Sequence, residues 1–126
     1  MEPGVPTVVV SHSLGTVVAY NLLKREGKQN GWVTPLFVTL GSPLAVKAIR
    51  KAVAPNRHPE GVGTWFNALD ERDVVALYPL NDAFFPTDPA VENKTDVDNP
   101  TENRHGIEGY LADPVVAAKI YEGVTN

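Results

Sequence analysis

Residues 8–16 join a short apolar run directly to a predicted helix through a turn centred on Ser13. The run, residues 7–10, is β-branched throughout and does not alternate with polar residues. That pattern indicates a strand covered on both faces, as in a parallel sheet. Residues 14–26 then carry apolar side chains at helical spacing, and Gly27 follows as a stop signal. A buried strand that runs straight into a helix predicts an α/β fold with a parallel sheet.

The rest of the chain continues this alternation. We expect further strands over residues 36–40 and 64–69, and a helix over residues 44–53 that is followed by a loop over 54–63. Residues 79–104 are predicted to be a long polar connection with a short strand near 91–97. The last helix is expected to begin at Asp113 and Pro114. Right-handed crossovers between successive strands place helices on both faces. The sequence therefore predicts a three-layer parallel sheet in a single domain over residues 1–126.

The composition excludes several classes of function. The chain has 126 residues and no cysteine, which excludes disulfides, thiol nucleophiles and thiolate metal sites. A formal net charge of -4 disfavours a nucleic-acid partner. No run approaches the roughly 20 apolar residues of a transmembrane segment. Residues 1–4 lack the features of a signal peptide, so we expect a cytoplasmic protein.

Residues 11–15 have the small-x-Ser-x-Gly pattern of a nucleophile elbow, in which a strained turn lifts a serine above the sheet. Small residues at Ser11 and Gly15 keep the strand and the helix clear of that turn. The N–H of Leu14 would then be an oxyanion donor at the helix N-terminus. A simpler interpretation is that Ser13 only caps the helix. The strand before it and the helix after it favour the nucleophile.

With this strand–serine–helix unit, the chain resembles the α/β-hydrolase superfamily, in particular its lipase-like serine esterases. In that family the nucleophile, the acid and the histidine follow one another along the chain. Residues 72–79 (Arg-Asp-Val-Val-Ala-Leu-Tyr-Pro) are similar to the family's loop that carries the acid. The resemblance implies Asp73 as the acid, with Asp70 as the alternative. A solvated acidic turn is the other interpretation of both residues.

The family also holds its histidine on a loop before the last helix, which matches His105. Histidine suits proton transfer because its ordinary pKa, about 6.5, is close to neutral pH. A loop histidine alone is more often a surface residue, but the order serine, acid, histidine favours a general base. We expect His12 to pack beside the site and His58 to be exposed.

The resemblance implies a two-step acyl transfer on a small-molecule or lipid ester, with no metal or organic cofactor. Ser13 would attack the carbonyl, His105 would take its proton, and Asp73 would orient the imidazole. Four aromatic side chains are candidates for an acyl pocket, although packing in the core or in loops is the simpler interpretation: Trp65, Phe84, Phe85 and Tyr110.

The family's domain is longer than this chain and has further strands before the nucleophile strand. We therefore expect a partial α/β-hydrolase fold, the C-terminal half, without the loop that donates the second oxyanion N–H. The strand over residues 7–10 would then have an unpaired edge. Two functions stay open: a serine hydrolase that is a fragment of a longer enzyme, and a non-catalytic remnant that binds or self-associates. We expect the isolated chain to self-associate or to pair with a missing N-terminal half.

Overall fold

A computed structural model describes residues 1–100 and 103–126, and this part of the chain forms four strands and four helices. In chain order the elements are β1 (Val9–His12), α1 (Leu14–Glu26), β2 (Thr34–Leu40), α2 (Lys47–Ala52), β3 (Val62–Ala68), β4 (Glu92–Lys94), α3 (Ile107–Ala112) and α4 (Pro114–Thr125). Within the described residues, none of the helices has the length and apolar character needed to cross a membrane.

The strands form one sheet in the order β1-β2-β3-β4, and every neighbouring pair is parallel. Val9 of β1 pairs with Phe37 of β2, and Phe37 pairs with Trp65 of β3. The parallel sheet predicted from the sequence is therefore confirmed, and the chain belongs to the α/β class. Because the strands run in one direction, the loops that follow β1, β2 and β3 meet at the same edge of the sheet.

Successive side chains of β2 point to opposite faces of the sheet and enter two separate core clusters. One cluster joins Phe37 to Tyr20 and Leu23 of α1 and to Trp65 of β3. The other joins β2 to α3 and α4 and contains Leu36, Val38, Leu40, Tyr110 and Val116. Both faces of β2 are therefore buried, which explains why its sequence is apolar with little alternation.

Several observed boundaries differ from the predicted ones. β1 covers Val9–His12 instead of residues 7–10, because its ladder with β2 continues as far as Leu40. β3 begins inside the predicted loop, since Val62 pairs with Thr34. Likewise β2 begins at Thr34 rather than at residue 36. Helix α2 begins only at Lys47 instead of at residue 44, and Leu44 and Ala45 before it are buried in the core.

The C-terminal third contains one helix that the sequence does not predict. Helix α3 has six residues and includes Gly109, a residue type that disfavours helices, so no local pattern indicates it. The short strand expected near residues 91–97 is present as β4, which pairs with β3 through Glu92 and Lys94. The long connection therefore contains β4, which pairs with the sheet, and is followed by α3, which packs against it.

Candidate active site

The residues of the candidate site meet at the edge of the sheet where the parallel strands end. Ser13 follows β1, Gly41 follows β2, and Asp73 lies in the turn after β3. His105 comes from the loop between β4 and α3 and reaches the same edge, although it is separated from Ser13 by 92 positions in the chain. The topology therefore gathers side chains that the sequence keeps far apart.

Ser13 adopts a strained backbone conformation with φ 58° and ψ -134°. Its hydroxyl makes no capping bond to α1, all of which the structure describes. Instead Thr16 closes the first turn, because its N–H and its hydroxyl donate to the Ser13 carbonyl at 3.0 and 2.7 Å. The interpretation of Ser13 as a simple helix cap is therefore wrong. The hydroxyl faces His105, whose Nε2 lies 2.7 Å from Ser13 Oγ.

His105 bridges Ser13 and Asp73. Its Nδ1 lies 2.8 Å from Asp73 Oδ2. An ionised carboxylate accepts hydrogen bonds but does not donate them, so Nδ1 carries the hydrogen. In the neutral ring Nε2 then accepts from the serine hydroxyl. The Asp73 side chain is 0% exposed and that of His105 is 16% exposed, so water has little access to the bond between them.

The carboxylate of Asp73 accepts hydrogen bonds at both oxygens. The backbone N–H groups of Val75 and Ala76 donate to Oδ1, and the Tyr110 hydroxyl donates to Oδ2 at 2.6 Å. Burial by itself raises the pKa of Asp73. The bonds from Tyr110, His105 and the two amides outweigh burial and hold the pKa below its ordinary value. Asp73 is therefore ionised near neutral pH.

Asp70, the alternative acid, is buried as deeply but has other partners. It is 2% exposed, against 1% for Asp73, so the interpretation of the two residues as a solvated turn is wrong. The Asp70 carboxylate accepts from the backbone N–H of Asn99 at 2.8 Å and lies 3.4 Å from Arg104 Nη1. Of the two aspartates, Asp73 is the one that contacts His105.

Gly41 gives the Asp73–His105 contact its space. This glycine has φ +56°, and a Cβ atom here would lie 2.8 Å from Asp73 Oδ2 and 3.0 Å from His105 Nδ1. In the sequence its only signal is Gly-Ser-Pro after a predicted strand, which indicates a strand end and nothing more. At Gly15, by contrast, a Cβ atom would have no described heavy atom within 4 Å apart from its chain neighbours and the backbone of α1. The described residues therefore do not explain why a small residue would be needed at position 15, as the elbow pattern predicts.

The two other histidines have different surroundings. His12 packs beside it as expected, with its ring centroid 4.6 Å from that of His105. The expectation that His58 is exposed is wrong, because His58 is partly buried and its Nε2 lies 2.8 Å from the Val62 carbonyl oxygen.

The aromatic side chains considered for an acyl pocket are mostly core residues. Trp65 and Phe85 are 1% exposed and Tyr110 is 0% exposed, each within one of the two core clusters. Phe84 is partly buried and stacks on Tyr78, with a distance of 4.8 Å between ring centroids. Packing in the core or in loops, the simpler interpretation, therefore describes these side chains better than an acyl pocket does.

The backbone N–H of Leu14 is the first of α1, next to Ser13. The first N–H groups of a helix have no acceptor within the helix, so this amide can donate to a ligand. Leu14 is 65% exposed, so this end of α1 lies at the protein surface. Among the residues that the structure describes, no group of three or more His, Cys, Asp or Glu side chains could hold a metal ion.

Comparison of the chain with protein-family models, with curated proteins and with solved structures found no match. The geometry of Ser13, His105 and Asp73 is therefore the basis of the function proposed for this chain.

Proposed function

We propose that this protein is a serine hydrolase that cleaves a carboxylic ester, of a small molecule or a lipid, or a related acyl substrate. The observation that carries the proposal is the continuous row of bonds from Asp73 Oδ2 through His105 to Ser13 Oγ, 2.8 and 2.7 Å long. Both lengths suit proton transfer between a nucleophile and its general base. The strained backbone of Ser13 supports the same role.

In the proposed reaction His105 Nε2 takes the proton of the Ser13 hydroxyl while Oγ bonds to the carbonyl carbon of the substrate. The imidazolium then gives this proton to the leaving alcohol oxygen as the ester C–O bond breaks. Water attacks the acyl-enzyme with the same proton transfers, which releases a carboxylic acid and restores Ser13. Asp73 stays ionised throughout and stabilises the imidazolium. Neither a metal nor an organic cofactor takes part.

Negative charge on the substrate carbonyl oxygen needs donors that are in place before the reaction. The N–H of Leu14 is the proposed donor, because it follows the nucleophile directly and lies at the positive end of α1. A single donor of this kind is worth about 10² to 10³ in turnover.

The core clusters on opposite faces of β2 support a three-layer, partial α/β-hydrolase fold. The order of the site residues also agrees with this proposal. The serine lies between β1 and α1, the acid follows β3, and the histidine precedes the last two helices.

A fluorophosphonate probe, which reacts with an activated serine, tests the function. We expect the protein to be labelled and Ser13→Ala to lose labelling completely. Ser11→Ala is the matched control, since Ser11 lies two residues before Ser13, in β1, but its hydroxyl donates to the Val38 carbonyl at 2.9 Å. This control should be labelled like the unaltered protein. An unlabelled protein, or equal labelling of Ser13→Ala, would contradict the proposal.

The second candidate function is a non-catalytic module that self-associates through β1. The observation that favours it is the position of β1 as the outermost strand of the sheet, with Val10 40% exposed. An apolar strand with a free edge is a template for pairing with another chain.

A further inference from the structure

Three successive carbonyl groups in the loop that carries His105 are held by two side chains, that of Asn99 earlier in the same loop and that of His12 at the end of β1. Asn99 Nδ2 donates to the carbonyl oxygens of Arg104 and Gly106, at 3.2 and 2.8 Å. His12 Nε2 lies 2.5 Å from the His105 carbonyl oxygen between them. Since a carbonyl only accepts, His12 Nε2 carries the hydrogen. We call these three bonds the carbonyl clamp.

Asn99 is itself held firmly. It is 0% exposed, and its backbone N–H donates to Asp70 Oδ2 at 2.8 Å. Gly109 of α3 leaves the room for its side chain, because a Cβ atom there would lie 1.8 Å from Asn99 Oδ1. A fully buried carboxamide that donates to two carbonyls, on a backbone that Asp70 binds, is well suited to anchor the loop.

His12 holds the same loop from the side of the nucleophile. It is the last residue of β1 and precedes Ser13 directly. Its ring also packs against the ring of His105, with the two planes inclined by 30°. A movement of the His105 loop away from Ser13 would therefore break the bond to His12.

The position of this loop matters because His105 belongs to no helix or strand. Its two nitrogens must keep their distances of 2.7 Å to Ser13 Oγ and 2.8 Å to Asp73 Oδ2. A displacement of about 1 Å in a catalytic group can lower a reaction rate about 10²-fold. Bonds that hold the loop on both sides of His105 restrict such displacements.

We infer that Asn99 and His12 are positioning residues, which through the carbonyl clamp set the place of the His105 imidazole between Ser13 and Asp73. This inference rests on the proposed hydrolase function. It also gives Asp70 a role, since Asp70 holds the backbone N–H of Asn99 and so supports the clamp.

The test compares Asn99→Leu, which keeps the size of the side chain but removes its donors, with the unaltered protein. The reaction with a fluorophosphonate is resolved into the maximal inactivation rate constant and the probe's dissociation constant. We expect the rate constant to fall about 10- to 100-fold. The dissociation constant should hardly change, because the clamp does not touch the probe.

Asn93→Leu is the matched control. Asn93 Nδ2 also donates to two carbonyls, those of Leu80 and Val91 at 3.0 and 3.2 Å, but it does not hold the loop that carries His105. This variant should lose stability to urea and keep the inactivation rate constant of the unaltered protein. The rate constant therefore separates positioning from general destabilisation.

An unchanged rate constant in Asn99→Leu, or an equal loss in Asn93→Leu, would overturn the inference and leave the hydrolase function standing. If Asn99→Leu does not fold, His12→Phe replaces it, since Phe keeps an aromatic ring against His105 but cannot donate. The same loss is expected there, and an unchanged rate constant would again overturn the inference. If instead the unaltered protein does not react, or Ser13→Ala reacts equally, the proposed function itself fails.

Discussion

At the scale of single residues, the hydroxyl of Tyr110 links the two buried aspartates. It donates to Asp73 Oδ2 at 2.6 Å and accepts from the backbone N–H of Asp70 at 3.1 Å. Burial, together with the nearby Asp73 carboxylate, raises the pKa of Tyr110 well above its ordinary value, so the hydroxyl stays protonated. One side chain of α3 therefore stabilises the charge on Asp73 and satisfies an amide of the neighbouring turn.

We expect Tyr110→Phe to lower the free energy of unfolding by about 1–3 kcal/mol, because the Asp70 N–H is left buried without a partner and Asp73 loses a donor. Urea unfolding at neutral pH measures the change. Tyr121→Phe is the control, since Tyr121 is 68% exposed on α4 and its change should have little effect. Equal effects of the two substitutions would contradict this account of Tyr110.

The same variant should change how stability depends on pH. The pKa of Asp73 lies below its ordinary value of 3.8. Ionised Asp73 therefore contributes its full stabilisation at pH values above 3.8. This stabilisation is lost as the pH falls through the lower pKa that Asp73 has in the folded protein. Tyr110→Phe removes one of the hydrogen bonds that lower the pKa of Asp73. The stability difference between the two proteins should be larger at pH 7 than at about pH 3, and a constant difference would argue against a charge effect.

Local sequence patterns can indicate which residues carry chemistry, but not which of them meet. Asp70 and Asp73 follow the same strand, and only the arrival of a loop 32 positions later brings His105 to Asp73. The sequence marks Gly41 only as a strand end, because the Asp73 and His105 side chains that leave no room for a Cβ atom there come from distant parts of the chain. Asn99 binds carbonyls only five and seven positions away, but no sequence pattern indicates that it does so. The sequence therefore indicates the candidate residues Ser13, Asp73 and His105 better than the residues that hold them in place.

At the scale of elements, the helices with clear terminal signals lie where the sequence places them. Helix α1 spans the predicted residues 14–26, and α4 begins at Pro114 after Asp113, as predicted. Helices α2 and α3, with six residues each, lack a side chain that caps their N-terminus, and their bounds depend on how the neighbouring residues are buried. Local chemistry therefore defines the long helices, and tertiary packing defines the short ones.

Asp113 should stabilise α4 through its side chain, which accepts from the N–H groups of Val115 and Val116. We expect Asp113→Ala to cost about 1 kcal/mol. In thermal unfolding that loss corresponds to a decrease of roughly 3–6 °C in Tm. Asp113→Ser, which retains a capping oxygen, should recover most of the loss. Equal decreases for Ala and Ser would show that the cap contributes little.

At the scale of the whole molecule, the two outer strands of the sheet differ in character. β4 has only three residues, two of them charged, which is typical of an edge that resists pairing. β1 has an exposed valine and no acidic or basic side chain apart from its terminal histidine. The parallel topology is predictable because it follows from the order of the elements. The outer position of β1 is expected only from the resemblance to a longer fold.

The open edge of β1 predicts self-association. The N–H groups of Thr7 and Ser13 donate to the carbonyls of Val33, just before β2, and Leu40, at its end. By the two-residue alternation of a strand, the backbone of Val10 therefore points to the open side. A second copy can pair there in antiparallel orientation about a two-fold axis. We expect a dimer in sedimentation velocity at micromolar concentration and a monomer for Val10→Lys, because a charged side chain on an edge strand opposes pairing. Val115→Lys is the control and should remain a dimer. Val115 lies on α4 and is 45% exposed, close to the 40% of Val10. A monomeric unaltered protein, or a dimer that Val10→Lys leaves intact, would exclude β1 as the surface of association.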